Sequence, residues 1–532
     1  MGFVGNATSE RDTQLALSIA AISDICVRVL GVDSLGPDED LFASGADSIS
    51  LMLIVGRAQA LGLPVDIEAA FRAPTVRSMA LVGAVGADVP SAVADPEWKA
   101  ESWVPLTGYQ EFLIGFYPRL EAKVTNVALV LADEVVEDRL PSALKELVER
   151  HDCLSMSFEK TEDGWRQSLH EPRPPSLAVV DVADVNDCWK ILSATRYSML
   201  VDASPLIRAT LYRSHAGPRL LHLVIHHLVT DAAGINFMLD DLESIIASKQ
   251  GGPATTTTPG SFAAWCHWLD RLRGSEGQVA LRQWTGYLRP DVPVAAPVDF
   301  DRAENRLEST RVDRFRLGRH DTARLRHLCT ALPVLSLEGV ILGALAHGHA
   351  RVFTTSELRA LVARSGRRPV PGGPDPSAIA GWLGYAFPTL LTVPAGDITE
   401  VGVAFDICTQ LKSAPDDGFS YFLIDRETRE SFPPPSLSFT YQGSMSAPIA
   451  RTLISDVDPP EGWNSPMQGT RTVLFQAHAN LIDDGVDVSI RYSEYHHKPE
   501  TIRAWLEGAE SFLRRLADHG HIDRLDPPLR AN

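Results

Sequence analysis

Cysteine is scarce in this sequence, and no two cysteines form a Cys-x-x-Cys pair. Six cysteines are spread over 532 residues, at Cys26, Cys153, Cys188, Cys266, Cys329 and Cys408. Widely spaced thiols are typical of proteins from a reducing compartment, so we expect a cytoplasmic protein. The spacing also excludes the usual cysteine zinc sites.

Positive charge and long apolar runs are missing as well. The 49 basic residues are outnumbered by 68 acidic residues, which gives a formal net charge of −19. A surface that binds nucleic acid or anionic lipid needs the opposite balance, so we expect neither partner. No apolar run looks long enough to span a bilayer, and Glu10 and Arg11 make the N-terminus unlike a signal peptide. The sequence therefore predicts a soluble intracellular protein.

Three common nucleotide-binding and hydrolase motifs are also absent. The sequence has no Gly-x-Gly-x-x-Gly, no Walker lysine loop and no Gly-x-Ser-x-Gly elbow. Nucleotide binding and serine hydrolysis therefore find no support, because each depends on the backbone geometry that such a motif builds.

Apolar residues are abundant, at 45% of the chain, and they follow two different periods. Residues 10–85 have helical spacing and predict a small four-helix bundle, and an Ala-, Gly- and Pro-rich linker follows at 86–102. Residues 103–525 mix alternating strand patterns with helices and exceed one compact core, so we expect two lobes, 103–275 and 276–525. The predicted fold class is α+β.

Ser48 lies in "DLFASGADSISLMLIVGRA", at the predicted start of a helix. Serine and aspartate are common helix caps, which would explain the Asp-Ser pair alone. The longer pattern resembles the carrier-protein domains of nonribosomal peptide synthetases over about residues 10–85. The resemblance implies that Ser48 carries a covalent 4'-phosphopantetheine arm, whose thiol holds an aminoacyl or peptidyl group as a thioester. A helix N-terminus suits such a phosphodiester, because its free N–H groups favour anions.

Two adjacent histidines, His226 and His227, precede Asp231 in "VIHHLVTDAAG". They could be core residues, metal ligands or a chance pair. Neighbouring strand residues point to opposite faces, so both cannot easily bind one ion, and no carboxylate has helical metal spacing. We therefore predict no metal site.

The segment "HHLVTDAAG" resembles the HHxxxDG signature of the condensation-domain superfamily, and "PLTGYQEFLIG" and "RHDCLSMSF" resemble two of its other motifs. The resemblance covers about residues 103–525. It implies two chloramphenicol-acetyltransferase-like lobes in a V, with a tunnel for carrier arms. In this catalytic signature His227 is the acid/base residue, whereas His226 and Asp231 hold structural roles, Asp231 through an ion pair that fixes the loop.

Later motifs resemble the epimerisation branch of that superfamily, notably "GWLGYAFPTLL", "APDDGFSYFL" and "PSLSFTYQGS". A neutral imidazole with a pKa near 6.5 serves as acid or base on the acidic α-hydrogen of a thioester. Inversion needs a group on each face, and the family supplies a glutamate as the second. Here Ala363 stands at that position, and Thr440 replaces an asparagine next to the retained Tyr441.

Thr440, Tyr441, Arg364 and Arg367 are candidate contacts for the substrate or the arm. The two arginines could bind a phosphate or an acidic substrate group, or simply lie in a solvated loop. Two other histidine sites fit ordinary structure: we expect His478 to be a satisfied core histidine and the pair His496 and His497 to lie at the surface.

Three functions stay open at this stage. The domain epimerises a tethered aminoacyl group, or it performs a different condensation, cyclisation or elimination on it, or it is silent and recruits a tailoring enzyme. Each implies the same partners, namely an adenylation domain and a phosphopantetheinyl transferase in trans and other assembly-line modules.

Overall fold

The computed structural model describes residues 4–518, apart from a set of segments that includes almost all of the predicted linker. Those segments are residues 31, 33, 42, 43, 45, 47, 61, 62, 64, 66–69, 71, 72, 85–101, 117–119, 163, 195–198, 216, 253–258, 293–296, 301–304, 368, 369, 371, 397, 444–450 and 457–469. The backbone of Ser48 is described, and its side chain lies outside the description.

Helices and strands alternate along the described chain, as an α+β fold requires. The helices are α1 Val4–Leu30, α2 Ser48–Ala60, α3 Val76–Ala84, α4 Gly108–Phe116, α5 Leu140–Arg150, α6 Val185–Ala194, α7 Ala232–Lys249, α8 Phe262–Leu288, α9 Arg319–Ala331, α10 Leu337–Phe353, α11 Glu400–Lys412, α12 Arg426–Ser431 and α13 Pro499–Asp518. The strands are β1 Ser102–Val104, β2 Val124–Leu131, β3 Met156–Thr161, β4 Gly164–Leu169, β5 Leu177–Val182, β6 Ile207–Ser214, β7 Arg219–His226, β8 Thr310–Arg316, β9 Glu357–Arg364, β10 Tyr385–Thr392, β11 Leu437–Gly443, β12 Ile454–Asp456, β13 Phe475–Ile482 and β14 Gly485–Ser493.

The chain divides into two compact units. The first comprises Met1–Arg271, Ser365–Gly384 and Ala447–Pro466, and the second comprises Leu272–Arg364, Tyr385–Ser446 and Met467–Asn532. Two short segments from the part of the sequence expected to form the second lobe therefore belong to the first unit. Local periodicity does not reveal such an exchange, because it depends on pairings between distant parts of the chain.

The first unit contains a five-stranded sheet in the order β12-β2-β7-β6-β5. Its middle strand β7, "RLLHLVIH", is buried at every residue after Arg219, as expected for a strand with apolar neighbours on both faces. Helix α5 packs against α7, which begins six residues after β7 ends. The loop from His227 to Asp231 thus connects the central strand to a buried helix.

The N-terminal bundle of the first unit has its own core. Buried side chains of α1, α2 and α3 meet there, among them Ile22, Cys26, Leu51, Ile54 and Met79. The fourth predicted helix falls mainly on residues 66–72, most of which lie outside the described residues.

Helix α1 also corrects the expectation about apolar runs. Its window Thr13–Leu30 has a mean hydropathy of 1.5 and is, by length and composition, apolar enough to cross a membrane. A core helix passes the same test, and this window supplies Ile22, Ile25 and Cys26 to the bundle core.

The second unit is built on a six-stranded sheet in the order β10-β9-β11-β13-β14-β8. Burial alternates along β13, so one face of the strand is apolar and the other is partly exposed. The predicted hairpin between β13 and β14 is present, with its turn at Asp483 and Asp484, one residue earlier than expected. Both residues have positive φ, at 47° and 60°, which a tight two-residue hairpin requires and aspartate tolerates.

Candidate functional site

His226 is the last residue of β7, and it is completely buried. Its Nδ1 accepts a hydrogen bond from the Leu228 N–H at 3.2 Å, and its Nε2 lies 3.0 Å from the Leu120 carbonyl oxygen. Because Nδ1 accepts, Nε2 carries the ring proton and donates it to Leu120. Burial lowers the pKa of His226 to about 4. Both ring nitrogens are therefore occupied, and this histidine holds the loop in place.

His227 follows in the turn after β7 and is only half-buried. Its N–H donates to the Lys123 carbonyl at 2.8 Å, and its Nδ1 lies 3.4 Å from the Thr125 hydroxyl. The Trp382 ring packs edge-on against the imidazole, with 4.3 Å between ring centroids. Burial, followed by the charge of Lys123, lowers the pKa of His227 to about 4. The imidazole is consequently neutral at pH 7.

Lys123 is a neighbour of His227 that the sequence did not point to. In the antiparallel register of β2 and β7, Val124 lies opposite His226, so Lys123 lies opposite His227. Burial lowers the pKa of its amine to about 8, so the amine is still mostly protonated at pH 7. A cationic acid and a neutral base therefore lie side by side. No motif contains Lys123, and only the strand register could have identified it.

Two of the sequence motifs meet beside His227. Tyr109, from "PLTGYQEFLIG", packs on Trp382, from "GWLGYAFPTLL", with 5.5 Å between ring centroids. Gln110 is fully buried and donates from Nε2 to the carbonyl of Leu228, in the turn that follows His227, at 3.0 Å. The first motif thus supplies both an aromatic wall and a support for the loop.

The motif "RHDCLSMSF" has a supporting function. Arg150, at the end of α5, donates to Asp241 of α7 at 3.1 Å. Asp152 accepts hydrogen bonds from the N–H groups of Phe262 and Ala263, at 2.9 and 3.0 Å, and so caps α8. These residues hold together the helices around the site.

Asp231 is the N-cap of α7 and accepts four hydrogen bonds. Oδ1 accepts from the Gly234 N–H at 2.8 Å. Oδ2 accepts from Arg367 at 2.5 Å and from the N–H groups of Leu383 and Gly384, each at 3.0 Å. The expected ion pair of Asp231 is therefore present, and its partner is Arg367. With all of its acceptor positions in use, Asp231 fixes the loop and the segment that carries Trp382.

The structure corrects both alternatives considered for Arg367. Its side chain is 0% exposed, so it neither lies in solvent nor reaches a phosphate. It donates to the carbonyls of Ile379 and Gly381, each at 3.0 Å, as well as to Asp231. Its carboxylate partner is 136 residues away, and short-range charge patterns do not show such a pairing.

Arg364 lies in the second unit and is half-buried, with 17% of its side chain exposed. Its guanidinium forms ion pairs with Glu338 and, at 3.5 Å, with Asp417, and it stacks over Phe387 at 5.2 Å. Arg364 is the last residue of β9 and pairs with two carboxylates, so it does not lie in a solvated loop. Its contact with the arm stays a prediction. Burial and the charge of Asp417 raise the pKa of Glu338 despite Arg364. Ala363 precedes Arg364 on β9, so its side chain points to the opposite face of the sheet.

Thr440 and Tyr441 lie on β11 of the second unit and are half-buried. Thr440 lies opposite His478 of β13. His478 differs from the expected satisfied core histidine, because it is half-buried and its ring forms no hydrogen bond to another described residue; burial lowers its pKa to about 4. His497 is 0% exposed, so its expected place at the surface is wrong.

Ser48 begins α2, a helix of 13 residues. The first N–H groups of a helix have no partner within it and favour a phosphate, so this position fits a phosphopantetheine attachment. The Asp47 that precedes it lies outside the described residues.

Family models match almost the whole chain. Residues 101–524 match the condensation-domain model, and residues 20–81 match the model for a phosphopantetheine attachment site. Chondramide synthase cmdD of Chondromyces crocatus is 26% identical over 515 residues, which are 92% of this chain and 13% of that protein. Bacitracin synthase 3 of Bacillus licheniformis is 22% identical over 517 residues, 92% of this chain and 8% of that protein. The chain thus spans roughly a tenth of the length of these relatives.

Solved structures show the same fold. The epimerization domain from the third module of tyrocidine synthetase B has a TM-score of 0.67 at 19% identity, covering 80% of this chain and 99% of that one. The X-domain from teicoplanin biosynthesis has a TM-score of 0.64 at 17% identity, covering 82% and 99%. The first condensation domain of the CDA synthetase has a TM-score of 0.60 at 17% identity, covering 78% and 96%. Domains with three different names share this fold, so the fold does not select the reaction.

Proposed function

The chain belongs to the condensation-domain family and carries a phosphopantetheine attachment domain ahead of that domain, and on this basis we propose that it works in nonribosomal peptide assembly, where His227 acts on an acyl thioester carried by Ser48. The attachment domain implies a covalent 4'-phosphopantetheine group, which supplies a flexible arm and a thiol for the thioester. Ser48 at the start of α2 would hold it.

The observation that carries the proposal is the difference between His227 and its two signature partners. His226 has both ring nitrogens in hydrogen bonds, and Asp231 accepts four. His227 has the same lowered pKa of about 4 as His226, so both rings are neutral at pH 7, but His227 is only half-buried. Of the three signature residues, His227 is thus the one suited to proton transfer.

A neutral imidazole can remove the proton from the carbon next to a thioester carbonyl. The C–H bond breaks, the proton moves to a ring nitrogen, and negative charge develops on the carbonyl oxygen. The ammonium group of Lys123, opposite His227 in the sheet, is suited to stabilise that charge. Return of a proton to the other face of the carbon completes an inversion without a net change in atoms.

We propose epimerisation as the reaction, because three motifs of the later chain resemble that branch. The departure at Ala363 means that the second proton must come from a group other than the usual glutamate. Lys123 and Tyr441 have exchangeable protons, and water is a third source. The adenylation domain and the phosphopantetheinyl transferase would act in trans, with other modules supplying or receiving the acyl group.

Recruitment of a tailoring enzyme is the second candidate function, and Ala363 favours it, since alanine cannot exchange a proton. One solved structure with this fold is the teicoplanin X-domain in complex with OxyB, at 18% identity and a TM-score of 0.64. Under this alternative the chain would present a tethered peptide to another enzyme without reacting itself.

The experiment loads Ser48 with a panel of L-aminoacyl and peptidyl groups and incubates the protein in deuterated water. We expect deuterium at the α-carbon, together with D-product. Both should fall by roughly a hundredfold or more in His227→Ala. The matched control is His215→Ala, which removes an exposed histidine of the same unit and should leave the rate unchanged.

Other outcomes would contradict epimerisation in different ways. A new product mass without exchange would indicate condensation, cyclisation or elimination. Neither exchange nor product across the panel would favour recruitment. Exchange that persists in His227→Ala would exclude His227 as the acid/base residue.

A further inference from the structure

Helix α2 of the bundle contacts helix α7 through a bidentate ion pair. Arg57 donates from Nε to Oδ2 of Asp240 at 3.1 Å, and from Nη2 to Oδ1 at 3.0 Å. Both side chains are largely removed from solvent, at 19% and 25% exposed. Two parallel bonds between a guanidinium and a carboxylate specify orientation as well as adding attraction, so this contact is more selective than a single exposed pair.

Asp240 is held for this contact by a second arginine. Arg451, whose side chain is 2% exposed, donates to Oδ1 of Asp240 at 2.9 Å. It also donates to the carbonyl and side-chain oxygens of Asn236, at 3.3 and 3.2 Å. Arg451 therefore orients the carboxylate from the condensation domain's own side, and Oδ2 remains directed to Arg57.

Apolar contact surrounds the ion pair. Phe237, one turn before Asp240 on α7, packs against the core cluster of the bundle. A Cβ added at Gly56 would lie 3.4 Å from the Phe237 ring and 3.4 Å from the Ser377 carbonyl oxygen. A Cβ at position 56 would already be in van der Waals contact with both atoms, so the glycine lets α2 approach α7 closely.

The Arg57–Asp240 pair joins the helix that begins at Ser48 to the helix that follows the His227 loop. Arg57 lies nine residues after Ser48 on α2, and Asp240 lies nine residues after Asp231, the cap of α7. Nine residues are about 14 Å of helix in each case. Phe237 also lies under Arg367, the partner of Asp231, at 5.5 Å. The docked bundle is thus placed on the helix that leads to the His227 loop.

We propose that Phe237, Asp240 and Arg451 form a carrier-docking surface, and that the Arg57–Asp240 pair determines which carrier docks. The surface fits a carrier with an arginine nine residues after its modified serine and a small residue just before that arginine. This chain's own carrier meets both conditions. The inference rests on the proposed function only in holding that the docked carrier delivers its acyl group to His227.

The experiment measures docking in the full-length chain without a loaded substrate. Spin labels are attached at Leu17→Cys on α1 and Lys145→Cys on α5, both exposed positions, in a Cys329→Ser background, since Cys329 is the one native cysteine that is not buried. Electron double resonance then gives the distance distribution between the labels. We expect one narrow distance in the parent protein and its loss in Asp240→Arg.

The charge-swapped variant Arg57→Asp/Asp240→Arg is made together with Arg451→Met, because Arg451 would otherwise repel an arginine at position 240. This charge-swapped variant should restore the narrow distance. Arg57→Asp alone tests the carrier side, where a single surface charge does not threaten the fold of the condensation domain. The matched control Arg28→Asp reverses an exposed arginine of α1 and should leave the distribution unchanged. In a loaded chain, the reaction rate at His227 should fall by roughly tenfold or more in either single variant and recover in the charge-swapped variant.

Two outcomes would overturn the inference. A narrow distance that persists in both single variants would show that the pair does not hold the carrier. Loss of the narrow distance in both single variants without its recovery in the charge-swapped variant would show that the pair does not set specificity. If docking follows the charge swap but the loaded parent chain shows no reaction, the docking surface stands and the proposed function fails.

Discussion

Arg364 and Arg367 lie three residues apart in the sequence, yet they serve two regions of opposite character. In the first unit, Arg367 completes a set of four hydrogen bonds to the single carboxylate of Asp231. In the second unit, Arg364 is shared between two carboxylates, Glu338 and Asp417. In the first region, four donors share the one negative charge of Asp231. In the second region, the one positive charge of Arg364 is shared between two negative charges.

The difference shows how a buried charge can be fixed or left titratable. In the first region, the four hydrogen bonds to Asp231 support the loop that carries His227. In the second region, burial and Asp417 raise the pKa of Glu338 in spite of the arginine. A buried charge thus contributes rigidity only where its partners are complete.

Lowering the pH should cause the largest loss of stability, because it protonates buried histidines in both units. Each unit has three histidines whose pKa is lowered to about 4, namely His222, His226 and His227 in the first and His349, His478 and His497 in the second. Between pH 6.5 and about 4 the unfolded chain binds protons that the folded chain does not, so the free energy of unfolding falls as the pH falls. The fully buried His226 alone should account for roughly 3 kcal/mol.

Urea unfolding at pH 7 and at pH 4.5, followed by tryptophan fluorescence, measures this loss. Stability that is unchanged between these two pH values would contradict the lowered histidine pKa values.

Arg367→Met should cause the largest loss of any single substitution. It leaves Asp231 buried without its cation, which costs about 3–5 kcal/mol of unfolding free energy. Urea unfolding at pH 7 is the measurement, with Arg364→Met as the matched control. If Arg367→Met lowered the free energy of unfolding by less than Arg364→Met does, the Arg367 region would not be the more tightly fixed of the two.

Arg364→Met should cost less, about 1–3 kcal/mol at pH 7, because Glu338 can take up a proton. A carboxyl group whose pKa is raised by folding costs stability above its unfolded pKa, and the cost disappears as the pH falls through its folded pKa. The difference from wild type should therefore shrink as the pH is lowered from 7 towards 4.5, the ordinary pKa of a glutamate. The double variant Glu338→Gln/Arg364→Met should recover part of the loss; an equal difference at both pH values would show that Glu338 stays ionised.

Lys123→Met should have the smallest effect on stability and a specific effect on the reaction. With a base of pKa about 4 and an acid of pKa about 8, the rate of α-proton exchange should form a plateau between those two values. Removing Lys123 should abolish the fall above pH 8 and lower the plateau. The matched control Lys145→Met removes an exposed lysine; an alkaline fall that persists in Lys123→Met would assign it to another group.

The motifs predicted much of the site because they are local. "HHLVTDAAG" placed His227 and Asp231 in one loop, and "GWLGYAFPTLL" contained the Trp382 that packs on His227. The alternating pattern after residue 474 likewise predicted the β13–β14 hairpin. Within each motif, neighbours in the sequence are also neighbours in space, whereas the contact between Trp382 and His227 joins two distant motifs.

The features of the site and fold that the sequence did not reveal depend on contacts between residues far apart in the chain. Arg367 looked like a solvated charge because its partner Asp231 is 136 positions away. Lys123 was missed because strand register, and not spacing, brings it to His227. The assignment of 365–384 and 447–466 to the first unit has the same origin, since no local pattern records which sheet or helix a segment will join.

The central claim is that His227 is neutral at working pH while its neighbours are fixed, and a ring-nitrogen NMR titration tests it most directly. The protein is labelled with ¹⁵N-histidine, and the His227 signal is assigned by its absence in His227→Gln. The account predicts a neutral ring at pH 7 that titrates with a pKa of about 4. A His227 ring that titrates at 6.5 or above would contradict it.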